Sequence, residues 1–137
     1  MYEAVLFLTD GFEEMEAITV LDDIAVYIAE LFPGQRIEVW GHTDSIPINT
    51  PQFASNWELS LHRALSVSNR LVNEHGFDGD LIVVIPRADL DPVAPNDTPE
   101  NRAKNRRVEI RIIGENPDTA NDSILPTNTD AWWRELL

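Results

Sequence analysis

The 137 residues predict a two-layer α/β sandwich, with a mixed four-stranded sheet and helices on one face, and three observations carry that expectation. Four runs of strand length are apolar or alternate in polarity. Two long stretches between them repeat apolar residues at steps of three and four, the spacing of one buried helical face. Hydrophobic residues make up 43% and charged residues 25% of the chain, enough for one core without disulfide staples and unlike a disordered polymer.

The first run, Glu3 to Leu8, is apolar and ends at Thr9-Asp10-Gly11, a turn signal. From Glu13 onward, Met15, Ile18, Leu21, Ile24, Ala25, Ile28 and Leu31 mark the buried face of a helix that Pro33-Gly34 stops. Arg36 to Gly41 turns Ile37 and Val39 inward and Glu38 and Trp40 outward, a second strand whose Gly41 permits a sharp turn. Thr43 to Ala54 holds Pro47 and Pro51 without periodicity and is loop. Ser55-Asn56-Trp57-Glu58 has capping-box spacing, so a helix starts there. Its buried side is expected at Trp57, Leu61, Ala64, Leu65, Ser68 and Val72, with Gly76 at its end.

Asp80 to Ile85 is apolar without alternation, which predicts a central strand covered on both faces; strand, helix and strand in this order predict a right-handed parallel crossover. Asp89 to Pro99 reads as loop, Thr98-Pro99-Glu100 as the opening of a short helix, and Arg107 to Ile113 as the final alternating strand. One domain is therefore expected over residues 1–114. After Gly114 the composition turns to Asn, Asp, Pro and Thr, which predicts an acidic linker. Asp130 to Leu137 predicts two helical turns whose Trp132 and Trp133 dock back on the domain.

Charge and composition narrow the function. A formal net charge of −14 argues against nucleic acid or an anionic membrane as partner, since phosphates need a dense positive field. Arg102, Lys104, Arg106 and Arg107 crowd one short stretch, either as a local ion-pair patch or for a ligand. The absence of cysteine removes disulfides and thiolate chemistry together. No apolar run approaches the ~20 residues that span a bilayer, and no signal peptide is seen, so an anchor or address is expected outside this sequence if the parent belongs to the cell envelope.

The informative constellation is Gly41-His42-Thr43-Asp44, then Asn56-x-x-Leu59-Ser60-x-x-Arg63-Ala64, then Asn105-Arg106-Arg107-Val108. These blocks fall at a strand end, a helix start and a strand start. Ligands of open α/β sheets collect beyond the carboxyl ends of parallel strands, which is where Asp44 leaves strand two. Arg63, two turns into the next helix, is expected to face the same cleft. Taken alone, the two residues suit a structural ion pair better than a ligand clamp, because such pairs are common on surfaces. Asn56 and Ser60 likewise suit plain helix-start roles.

The three blocks resemble the signature of the OmpA-like domain, and the longer matches HTDSIPINTPQFASNWELS and PVAPNDTPENRAKNRRVEI are similar to the domain that ends flagellar stator proteins of the MotB kind. The resemblance covers about residues 36–113. It implies an OmpA-like fold, a periplasmic or cell-envelope location, a homodimer, and non-covalent capture of peptidoglycan through the diaminopimelate of its stem peptide. It implies no cofactor or metal. Under it, Asp44 pairs with the ammonium of a diaminopimelate centre and Arg63 grips the carboxylate through two hydrogen bonds. Thr43, Asn56 and Leu59 supply flanking contacts, and Arg107 supplies a second positive group or a structural one.

Two departures stand out. The family's glycine-aromatic-glycine turn after strand three is replaced by Ile85-Pro86-Arg87-Ala88-Asp89-Leu90. Residues 5–22, VLFLTDGFEEMEAITVLD, resemble the opening of the DJ-1/PfpI superfamily and suggest a chimeric or engineered chain. That superfamily's cysteine nucleophile has no counterpart, and Glu13, Glu14 and Glu16 suit the positive end of a helix. The alternatives to an anchor are a DJ-1-like small-molecule enzyme or chaperone-type domain, and an inactive scaffold.

Other catalytic readings fare worse. His42, His62 and His75 lack metal-ligand spacing. Ser60 and His62, two apart on a helix, point about 200° apart and cannot form a triad with Asp44. Asp89, Asp91 and Asp97 lack the regular spacing of a calcium loop. The expectation is a binder, not an enzyme.

Overall fold

The computed structural model describes residues 2–9 and 14–114. Along them run β1 (Tyr2–Thr9), α1 (Glu14–Leu31), β2 (Arg36–His42), α2 (Asn56–Asn73), a 3-10 turn (Gly79–Leu81), β3 (Ile82–Pro86), α3 (Pro99–Asn105) and β4 (Arg107–Ile113). The strands form one mixed sheet in the order β1-β4-β2-β3. β4 is antiparallel to both neighbours, pairing Arg111 with Val5 of β1 and with Glu38 of β2, while β2 and β3 run parallel through α2. The expected turn at Thr9-Asp10-Gly11 and the expected linker and terminal helix over 115–137 lie outside the described residues.

Period-two patterning decides the faces. Ile37 and Val39 of β2 and Val108, Ile110 and Ile112 of β4 are buried in one cluster with Leu21, Ala25 and Ile28 of α1 and Ala64, Val67 and Leu71 of α2. Both long helices therefore cover the same side of the sheet. Asp22 of α1 ties them further, accepting from Arg70 Nε at 2.8 Å and meeting His75 Nε2 at 2.8 Å. These two hydrogen bonds hold the Asp22 carboxyl well below the ordinary carboxylate range, although such half-exposed pairs add little stability. Gly34 (φ +72°) and Gly76 (φ +70°) adopt the left-handed conformation just past α1 and α2, as helix-ending glycines do.

The structure corrects four sequence expectations. The buried face of α2 is Ser60, Ala64, Val67, Ser68 and Leu71, so Trp57, Leu61 and Leu65 stand exposed. The helix is turned because a glycine and a serine, not large side chains, make its closest contact with the sheet. Leu31 is exposed at the end of α1. Strand β3 lies at a sheet edge, and all five of its residues are half-buried; a short apolar run indicates burial but not which strand flanks it. The capping box at Ser55 is half formed: Glu58 Oε2 reaches back to the Ala54 amide at 2.8 Å, but the serine side chain makes no cap. Helix α3 does follow its signal, with Thr98 Oγ1 accepting from the Asn101 amide at 3.1 Å and Pro99 in the first turn.

Candidate functional site

At the carboxyl end of β2, Gly41 lies directly beneath α2. A Cβ at this position would sit 1.9 Å from the Ser60 carbonyl oxygen. This close approach brings the start of α2 over the sheet edge and sets the spacing between the chain after β2 and Arg63. The segment after β3 continues the pairing: Arg87 N donates to Gly41 O at 3.0 Å, and Thr43 N donates to Ala88 O at 2.8 Å. Ser60, fully buried, donates to Trp57 O at 2.9 Å and accepts from Ala88 N at 3.0 Å. Ala88 itself has φ +50°, a left-handed conformation that costs a non-glycine residue about 1 kcal/mol. The atypical Ile85-to-Leu90 stretch thus braces Thr43 and α2 from behind and contributes no lining to the cleft.

The loop that follows is pinned by amides. Asn56 Nδ2 donates to Ile46 O at 3.2 Å and to Asp44 O at 3.4 Å. Thr43 Oγ1 donates to Asp44 O at 2.8 Å. Buried Asn105 organises the loop before α3, its Oδ1 accepting from Val93 N and Ala94 N at 2.8 and 3.1 Å and its Nδ2 donating to Ala94 O and Asn96 Oδ1, both at 2.9 Å. Asn96 Oδ1 in turn accepts from Ser45 N at 3.2 Å. One well-satisfied amide therefore links the third sequence block to the first.

Between these supports lies a cleft of about 220 Å³. Thr43 and Asp44 line it from the end of β2, Ile46, Pro47 and Ile48 from the loop, Asn56, Leu59 and Arg63 from α2, and Arg106 from the junction of α3 and β4. Five of the six residues singled out from sequence are brought together here. Asp44 is largely buried, with Oδ1 accepting from Ile46 N at 3.0 Å and Oδ2 from Arg106 Nη1 at 2.8 Å. Arg63 Nη1 donates to His42 O at 3.0 Å, which fixes its guanidinium at the cleft.

The sixth residue, Arg107, is placed elsewhere. It is 4% exposed on the opposite face of the sheet, donating to Glu109 Oε2 at 2.8 Å, Asp91 O at 2.9 Å and Asn105 O at 3.2 Å. The structural option for Arg107 is the one its position fits, and Arg106 takes its place at the cleft. Strand parity carries the signal for this exchange: Arg106 shares its parity with Val108 and Ile110 on the helix side, and Arg107 shares its parity with Glu109 and Arg111. Asp91, one of the acids considered for calcium, accepts instead from Arg87 Nε at 2.6 Å.

Glu109 is the hub of the opposite face. It also accepts from Arg111 Nη2 at 3.1 Å, and its Oε2 lies 2.5 Å from His42 Nε2, off hydrogen-bond alignment. Arg111 lies 3.7 Å over the Trp40 ring. His42, 1% exposed, has its pKa pushed down to about 4 by burial first and Arg107 second, against the opposing pull of Glu109 and Asp91. Because the unfolded imidazole binds a proton near pH 6.5 and the folded one does so only near 4, this contribution is complete above 6.5 and is lost as pH falls toward 4. We expect unfolding stability to drop by about 2 kcal/mol between pH 7 and 5. Urea midpoints of the parent and His42→Gln at both pH values check this, and the variant should show a clearly flatter dependence.

Comparison with known proteins agrees with this architecture. Residues 14–106 match the OmpA family. Motility protein B of Bacillus subtilis is 40% identical over 81 residues, covering 59% of this chain and 31% of that protein. The peptidoglycan-binding protein ArfA of Mycobacterium bovis is 44% identical over 80 residues, covering 58% of this chain and 23% of that protein. The crystal structure of the periplasmic domain of Helicobacter pylori MotB superposes with a TM-score of 0.74 at 29% identity, covering 91% of this chain and 85% of that one. The chain thus spans a third or less of the length of these two sequence relatives. With its mixed sheet, the helices on one face and the three ordered sequence blocks gathered at one sheet end, the chain belongs to the OmpA family.

Proposed function

We propose that this domain is a non-covalent anchor that binds peptidoglycan through the diaminopimelate of its stem peptide, in the periplasm or cell envelope, and that it acts as a binder without catalytic turnover. The observation that carries this reading is that a carboxylate from the end of β2, Asp44, and a guanidinium from α2, Arg63, line one cleft with Thr43, Asn56 and Leu59. A diaminopimelate centre presents an ammonium and a carboxylate, the complement of that pair. The apolar wall of Ile46, Pro47 and Ile48 suits the methylene chain between its two ends. Relatives named for motility and for peptidoglycan binding support the same reading. Homodimerisation is part of the proposal by analogy with stator proteins. A joined origin for the DJ-1-like stretch 5–22 is proposed on that resemblance alone, and the OmpA-family match over residues 14–106 overlaps the stretch.

Co-sedimentation with purified sacculi tests the function. The parent is expected to pellet with the wall material, whereas Asp44→Asn and Arg63→Ala, folded as judged by thermal unfolding, are expected to lose at least about tenfold in retained fraction at limiting sacculi. Equal retention of all three proteins would overturn the assignment of the cleft, and no retention of the parent would leave the scaffold reading in its place.

A further inference from the structure

We propose that Arg106 is a specificity-determining residue of this cleft: by sharing Asp44 it makes the site favour a ligand whose ammonium is accompanied by a free carboxylate over the same ligand with that carboxylate converted to an amide. The proposal rests on the peptidoglycan reading above and goes beyond it by naming the chemical form of the stem peptide.

The argument begins with what is already bound to Asp44. Its Oδ2 lies 2.8 Å from Arg106 Nη1, and its Oδ1 holds the Ile46 amide at 3.0 Å. The Asp44 side chain is 12% exposed and that of Arg106 is 28% exposed, so the pair sits in the wall of the cleft and is screened less than a pair on open surface. An ammonium arriving at Asp44 therefore meets a carboxylate already neutralised in part, with a guanidinium beside it. By Coulomb's law Arg106 weakens that half of the ligand's binding.

For a carboxylate the sign reverses. Arg63 and Arg106 both line the cleft, one from α2 and the other from the α3–β4 junction. A ligand carboxylate placed between Asp44 and Arg63 lies within the field of both guanidiniums. A carboxamide there keeps the shape but forfeits the charge, so it gains nothing from Arg106 while its ammonium still suffers from it.

A bracing role for Arg106, holding the Asp44 rotamer in place, gives a different outcome. Loss of a brace weakens both ligands alike, whereas loss of a charge changes their ratio. Two probes separate the cases: a synthetic stem tripeptide ending in diaminopimelate with a free distal carboxylate, and the same peptide with that carboxylate amidated. Isothermal titration of the whole chain is expected to show the free acid binding the parent at least about tenfold tighter than the amide. In Arg106→Gln that preference should fall to about threefold or less, and Arg106→Lys, which keeps the charge, should hold most of it. Arg106→Met is the second neutral variant should the glutamine variant fail to fold.

An unchanged free-acid preference in a folded neutral variant overturns the proposal, as does a parent that binds both peptides equally; in both cases the peptidoglycan reading stands. A parent that binds neither peptide overturns that reading and this proposal together.

Discussion

Gly41→Ala is expected to cost about 4 kcal/mol or more, a large share of the roughly 5–15 kcal/mol that keeps an ordinary domain folded. The added Cβ would lie 1.9 Å from the Ser60 carbonyl oxygen, 2.8 Å from its carbon and 3.3 Å from the Ala64 Cβ. The first two of these atoms are helix backbone, so no rotamer change relieves the clash. Relief requires α2 to move off β2, which parts Ala64, Val67 and Leu71 from Ile37 and Val39 and breaks the Ser60 bridge to Ala88. Overpacking on this scale goes beyond the ordinary cost of an extra methylene in a core. Gly34→Ala is the control: nothing lies within 4 Å of its Cβ, but its φ of +72° should cost about 1 kcal/mol. Urea unfolding of the three proteins checks the ranking, and a Gly41→Ala midpoint near that of the parent would refute the close-approach argument.

The second large effect is expected at Glu109. Substitution by Gln preserves shape but removes the carboxylate that faces His42, Arg107 and Arg111, and it leaves the buried Arg107 guanidinium poorly compensated. Breaking a buried pair from one side typically costs about 3–5 kcal/mol, and we expect Glu109→Gln to lose at least about 3. The double variant Arg107→Met with Glu109→Leu should recover most of that loss, because both desolvated charges go together. Thermal and urea unfolding provide the measurement. A single variant within about 1 kcal/mol of the parent would show that the charge network is not a stabilising unit.

How far the sequence reveals this molecule depends on the kind of signal each element carries. Period-two alternation located β2 and β4 and sorted Ile37, Val39 and Ile110 from Trp40 and Glu109, because alternation encodes a face directly. Thr98-Pro99 marked α3 through a local cap that needs no tertiary partner. The face of α2 was misread because its contact with β2 is made by Ser60 over Gly41, small residues that hydrophobic spacing ignores, while Trp57 and Leu65 remain in solvent. The edge position of β3 was hidden because strand order follows from long-range pairing.

The candidate site divides in the same way. Asp44, Thr43, Asn56, Leu59 and Arg63 were legible as ordered blocks at element ends. Arg106 and Arg107 were harder to assign: they are chain neighbours of the same residue type, and only strand parity separates the one at the cleft from the one buried beside Glu109. The role of Ala88 was not legible at all, because a left-handed alanine that braces two other elements leaves no pattern in its own neighbourhood.

The most direct test of the peptidoglycan assignment is a titration of the isotope-labelled domain with a diaminopimelate-containing stem peptide, read as amide chemical shifts. Saturable shifts concentrated at residues 43–48, 56–63 and 106, and abolished by Asp44→Asn, are the predicted result. Shifts centred on the opposite face around Trp40 and Arg111, or a spectrum unmoved by the peptide, would contradict it.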